Sequence, residues 1–166
     1  MEPGYSGGPG IHCDAGHAEG RRGPVCLGSG DVYKRQFDER LGELLDDMAE
    51  TMYQANGVGL AAPQVGILRR VVVIDVGDGI IELVNPRILR TAGSETTSEG
   101  CLSFPGEYGL VERPTEVEIE AEDRHGKTFR MTGHDLLARA FCHETDHLDG
   151  KVFKAIAIEM LDEEDL

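Results

Sequence analysis

His143-Glu144-Thr145-Asp146-His147 is the stretch from which the rest of this 166-residue chain is best read. On an α-helix, residues four apart share a face, so the two imidazoles can reach one cation. Glu144 follows the first of them, beside that cation but free to take a proton from water held there. Its neighbours decide between this reading and a chance HExxH on a solvated helix. Leu136, Ala140, His143 and His147 fall on one stripe, and Leu137, Phe141, Glu144 and Leu148 on the next. A wide apolar face holding two histidines and a glutamate is a buried face. Burying three such groups is costly unless something pairs them, and a metal ion does. The helix runs from about His134 to Leu148 and ends at Gly150.

Two histidines leave a cation short of protein ligands, so a third is sought elsewhere. In Glu99-Gly100-Cys101-Leu102-Ser103, Cys101 offers a thiolate, which binds iron or zinc strongly. Gly100 permits a backbone geometry that other residues resist. Taken alone, Cys101 reads more simply as a buried, inert cysteine. Cys142 takes that role, because on the helix it points away from both histidines. A third stretch, Gly57-Val58-Gly59-Leu60-Ala61-Ala62-Pro63-Gln64, is rich in small residues that let another backbone, such as a peptide substrate, approach closely. Gln64 adds an amide able to donate to a developing oxyanion. By itself this stretch is only a Gly/Ala-rich loop after a helix.

Further out, Leu41, Leu44, Leu45, Met48 and Met52 recur at helical spacing, with Asp38 placed to cap and Asn56-Gly57 to terminate. Arg70–Val76 and Ile80–Leu89 read as strands joined across Gly77-Asp78-Gly79, a hairpin signal. Glu116–Glu122 alternates glutamate with Val117, Ile119 and Ala121, which makes the glutamates a solvated sheet face rather than a site. A turn at Arg124–Lys127 leads into a short strand around Phe129. Strands followed by a late buried helix predict an α+β fold, with antiparallel sheets packed around a central C-terminal helix carrying HExxH.

The length suits one domain. A hydrophobic fraction of 40% and a charged fraction of 28% are those of a soluble globular chain. No apolar run approaches the ~18–20 residues needed to span a bilayer, and the Gly-rich, polar start lacks a secretory apolar region, so the reading is cytoplasmic and without a membrane. The net charge of −15 argues against nucleic acid, which needs clustered Lys and Arg. Four cysteines are too sparse for a disulfide scaffold. Residues 1–36 stand apart, with 9 of the 22 glycines, 3 of the 7 prolines and charges that cancel, so the whole −15 belongs to residues 37–166. His12, Cys13, His17 and Cys26 fit no zinc-finger spacing. Asp31–Gln36, DVYKRQ, resembles one reading frame of a transposon-end adapter used in sequencing libraries. Residues 1–36 are therefore expected to be a non-native or disordered tail, and residues 37–166 the catalytic domain.

The three stretches together resemble the signature of peptide deformylases: GVGLAAPQ, EGCLS and HETDH, in the family's order, over about residues 37–160. The long insertion that one bacterial subtype carries between the first two motifs is absent. The resemblance implies removal of the formyl group from the N-terminal formyl-methionine of newly synthesised polypeptides. It implies a metal, usually Fe(II), although Zn(II), Ni(II) or Co(II) can occupy such a site. Carried onto this sequence, Cys101, His143 and His147 hold the metal. Glu144 accepts the proton of the attacking water and then protonates the leaving amine. The Leu102 backbone N–H and the Gln64 side chain stabilise the oxyanion. Val58, Leu136 and Ala140 form the methionine pocket, with Gly59 beside it for the substrate backbone.

The resemblance also marks departures. Relatives begin with a strand and a Pro-containing loop where this chain has its tail, so the first strand is expected to be missing and a sheet edge exposed. One subtype ends in a long basic helix thought to dock on the ribosome; the short acidic end, Glu159–Leu166, argues against that route here. HExxH alone would also suit a zinc endopeptidase, but those enzymes draw a further ligand from downstream and only 19 residues follow His147. An inactive truncated fragment of the same family is the non-enzyme alternative.

Overall fold

A computed structural model describes residues 37–162. The readings made above for residues 1–36, and for the acidic end beyond residue 162, lie outside the described residues. Helix α1, Glu39–Gln54, starts where the Asp38 carboxylate accepts a hydrogen bond from the Leu41 N–H at 3.1 Å, satisfying a donor the first turn would leave free. Its expected stripe is the buried one: Leu41, Leu45, Met48 and Met52 pack against Leu60, Val71, Val73 and Val84. The chain leaves the helix at Asn56, in the left-handed region with φ 54°.

Five strands form the larger sheet: β1 (Gly59–Ala61), β2 (Val71–Ile74), β3 (Ile81–Ala92), β6 (Glu116–Glu122) and β7 (Thr128–His134), in the order β1-β2-β3-β6-β7. A smaller sheet holds β4 (Glu95–Cys101), β5 (Phe104–Arg113) and β8 (Glu159–Leu161), in the order β4-β5-β8. Every neighbouring pair is antiparallel. The β2–β3 hairpin forms as the sequence predicts, but β3 runs on to Ala92. It tolerates Pro86 because that residue falls in the register shift between Val84 and Arg87, where no ladder N–H is required. In β6, Val117, Ile119 and Ala121 are buried, while Glu116, Glu118 and Glu120 pair with Arg87, Arg90 and Arg130 across the wet face.

Helix α2, Asp135–Leu148, lays Ala138, Phe141 and Cys142 on Val72, Ile74, Leu83 and Ile119 of the larger sheet. The α+β reading holds, with the helix against the sheets. One correction concerns Gly59–Ala61, read above as loop: it is strand β1, paired with Ile74, Val73 and Val72 and buried at all three positions. A run this short and uniformly buried carries no alternation to detect.

Candidate metal centre

The C-terminal end of β4 meets the pocket face of α2. Cys101 Sγ lies 3.2 Å from His147 Nε2, which lies 3.1 Å from His143 Nε2. The three ligand atoms fall within 4.8 Å of one another, the one such group among the described residues. The helix supplies both imidazoles one turn apart. Cys101 sits where the β4–β5 register shifts after Gly100, a break in the ladder that re-aims a side chain. Gly100 is needed for space rather than for an unusual backbone: its φ is not positive, and a Cβ there would meet the Tyr108 ring at 2.8 Å. Phe153, buried behind the site, stacks on His143 with ring centroids 6.5 Å apart.

A network not foreseen from the sequence orients these groups. His143 Nδ1 donates to Glu99, leaving Nε2 toward the ligand cluster. Arg113 grips the same carboxylate through Nε at 3.0 Å and Nη2 at 2.8 Å, and reaches Asp146 through Nη1 at 2.7 Å. Arg113 is only 6% exposed, so its charge is satisfied by this fork or not at all. Burial pushes the Glu99 carboxyl up, but the bonds from His143 and Arg113 outweigh it and hold it at about 2. The available signal was position: Glu99 and Asp146 stand two and one residues before the candidate ligands Cys101 and His147, inside motifs already singled out.

Glu144 is 4% exposed, and its Oε2 has no hydrogen-bond partner among the described residues. Burial pushes this carboxyl up to about 7. It fits because β1 has no side chain at Gly59, where a Cβ would stand 2.4 Å from Glu144 Oε1. The space at Gly57 is likewise taken by the Leu102 side chain. At these two positions the small residues make room for the chain's own groups. Gln64 Oε1 accepts from the Ala61 N–H at 2.9 Å, and its Nε2 donates to Ser103 Oγ at 3.0 Å and Cys101 Sγ at 3.5 Å.

The donors suit a divalent cation. Burial raises the Cys101 thiol, but bonds from His143 and His147 outweigh it and bring it to about 5, so a thiolate faces the imidazoles. Burial disfavours a proton on His143, yet Cys101 and Glu99 lift it to about 10; a bound cation takes that proton's place. Cys142 behaves as expected, lying in the core with its thiol pushed up to about 11 by burial. A cavity of about 660 Å³ opens beside the cluster, lined by Val58, Gly59, Leu102, Leu136 and Ala140 as well as by Arg139, which the sequence reading passed over. The stripe through Leu136 is not buried throughout: Leu136 is 41% and Val58 44% exposed, because both stand on this open cavity.

Comparison with known proteins places the chain in a family. A family model described as Polypeptide deformylase matches residues 29–160. The peptide deformylase of Caldicellulosiruptor bescii is 57% identical over 131 residues, 79% of this chain and 79% of that protein. That of Acetivibrio thermocellus is 58% identical over 130 residues, 78% of this chain and 76% of the relative. Among solved structures, the peptide deformylase of Thermotoga maritima superposes with a TM-score of 0.72 at 41% identity, covering 73% of this chain and 83% of its own. The chain belongs to the polypeptide deformylase family, and removal of the N-formyl group from nascent polypeptides is its activity.

Proposed function

We propose that the chain hydrolyses the formamide bond of N-formyl-methionyl polypeptides with Cys101, His143 and His147 as the ligands of one Fe(II) ion. One observation carries the reading: a thiolate and two imidazole nitrogens converge beside a buried carboxylate oxygen that has no hydrogen-bond partner among the described residues. The same donors suit Zn(II), Ni(II) or Co(II), and the choice of iron rests on the family. A divalent ion held there supplies Lewis acidity, polarising an amide carbonyl and bringing the pKa of water toward neutrality. Glu144 takes the water's proton as its oxygen attacks the formyl carbon, then returns the proton to the leaving amine; a carboxyl near 7 is suited to both directions. Gln64 Nε2 and the Leu102 backbone N–H donate to the oxygen that becomes negative. Val58, Leu136 and Ala140 receive the methionine side chain, with Gly59 beside the substrate backbone. Formate leaves, and the polypeptide keeps a free amino terminus.

On this reading residues 37–166 are the catalytic domain, preceded by a tail. The work is done in the cytoplasm, where formylated chains emerge, without direct binding of nucleic acid and without docking on the ribosome through a basic helix; among the described residues no helix is long and apolar enough to cross a membrane. Protein prepared anaerobically, with iron quantified, should turn over formyl-Met-Ala-Ser in proportion to its iron. Glu144→Gln should keep the iron and lose about 10²–10⁴-fold in kcat. An iron-loaded protein inert toward formyl-Met peptides, or a Glu144→Gln variant with near-normal kcat, overturns the proposal.

A further inference from the structure

Arg139 stands on α2 one turn before His143 and lines the cavity with Leu136 and Ala140. Its one hydrogen bond among the described residues runs from Nη1 to Thr97 Oγ1 on β4, at 2.5 Å. Its Nε is buried and has no hydrogen-bond partner among the described residues. Arg70, Arg87, Arg90, Arg113, Arg124 and Arg130 each meet a carboxylate. In a chain with 31 acidic against 16 basic side chains, a half-buried guanidinium that meets only a hydroxyl is conspicuous. It has five N–H donors and no carboxylate partner, and it retains donor capacity on a cavity wall it shares with the apolar Val58, Leu136 and Ala140.

A recess of this kind distinguishes side chains of similar shape by what they offer the donor. A methylene offers nothing, a thioether sulfur is a weak acceptor, and a sulfoxide oxygen is a strong one. Sites that place a polar group against a substrate discriminate far more sharply on a missing partner than on size alone. We propose that Arg139 reads the end of the substrate's first side chain by donating a hydrogen bond to an acceptor there, and that the pocket takes N-formyl-methionine sulfoxide peptides as substrates beside the unoxidised ones. The bond broken is the same formamide C–N bond, and the sulfoxide oxygen takes no part in the reaction. This inference rests on the methionine pocket assigned under the proposed function.

The test compares formyl-Met-Ala-Ser, its sulfoxide and formyl-norleucine-Ala-Ser on the full-length, metal-loaded chain, by kcat and KM. Calorimetric binding of the three deformylated peptides gives a readout independent of the chemistry. The sulfoxide should be preferred to norleucine by about tenfold, the size of one hydrogen bond from a charged donor, with methionine between them and the difference lying in KM. Arg139→Met keeps the length and removes the donor, and should level the series to within about twofold while metal content stays the same. Arg139→Lys, which keeps a donor, should retain the order. A wild-type preference for norleucine over the sulfoxide, or a series unchanged in Arg139→Met, overturns the inference and leaves only the aliphatic stem of Arg139 at the pocket. If Arg139→Met fails to fold, the wild-type series and Arg139→Lys still decide. Absence of turnover with all three peptides would instead be a failure of the proposed function.

Discussion

Cys101 and Cys142 carry the same thiol in opposite surroundings. At Cys101 two imidazoles outweigh burial, and at Cys142 burial prevails. Cys101→Ser should therefore lose its ion on dialysis, because a hydroxyl is a far poorer ligand, whereas Cys142→Ala should keep a full complement. Metal analysis after dialysis checks both, and equal losses would erase the distinction. Gly59 is the second residue whose identity is dictated by a neighbour. A methyl group there has to displace the Glu144 carboxylate, which is only 4% exposed. Gly59→Ala should lower kcat by about 10²-fold, the scale of an ångström-sized misplacement of a reacting group, with metal content unchanged. Retention of full kcat would mean that the carboxylate has room to move.

At the scale of elements, α2 and β4 are joined by the fork of Arg113 on Glu99 and Asp146. The Glu99 carboxyl, ordinarily near 4.5, is held at about 2, so the folded protein binds this proton more weakly than the unfolded chain does. The stabilisation is complete above 4.5 and is lost as pH falls through 2. Between these limits the melting temperature of the wild type should fall more steeply than that of Glu99→Gln; parallel curves would show that the fork adds nothing. The same two elements mark where the sequence was legible. Helices α1 and α2 and strand β6 each bury one face, so their periods show in the residues, whereas β2 is buried at every position and the β2–β3 hairpin was legible from its Gly77-Asp78-Gly79 turn. Strand β4 reads ETTSEGC, with no apolar alternation, and it exists because β5 pairs with it. The two histidines were legible because four-residue spacing is local. Arg113 and Arg139 reach partners 33 and 42 residues away, a proximity that only the folded chain creates.

At the scale of the whole molecule, the proposed ligands come from one strand and one helix. Cys101 ends a strand of the smaller sheet, and His143 and His147 ride on the helix that lies against the larger. A cation that binds only the folded arrangement stabilises the junction in proportion to its affinity and concentration. Chelation should speed amide hydrogen exchange in β4 and β5 while β2, β3 and β6, in the main core, remain protected. Uniform acceleration across both sheets would contradict this division.

Of the polar ties between the smaller sheet and α2, Glu99 to His143, Thr97 to Arg139 and Cys101 to His147 each place a partner on the cavity wall, and Arg113, which holds Asp146, is bonded to Glu99 on that wall. The molecule is laid out like a case whose clasp is also its workbench. Damage to the clasp stops the work and loosens the lid in one event. Ageing in storage should then follow a single clock, with residual activity reporting how many copies remain shut. In a cell, the copies that have stopped working would be those already ajar to a protease, so that cleaning up spent enzyme needs no separate mark.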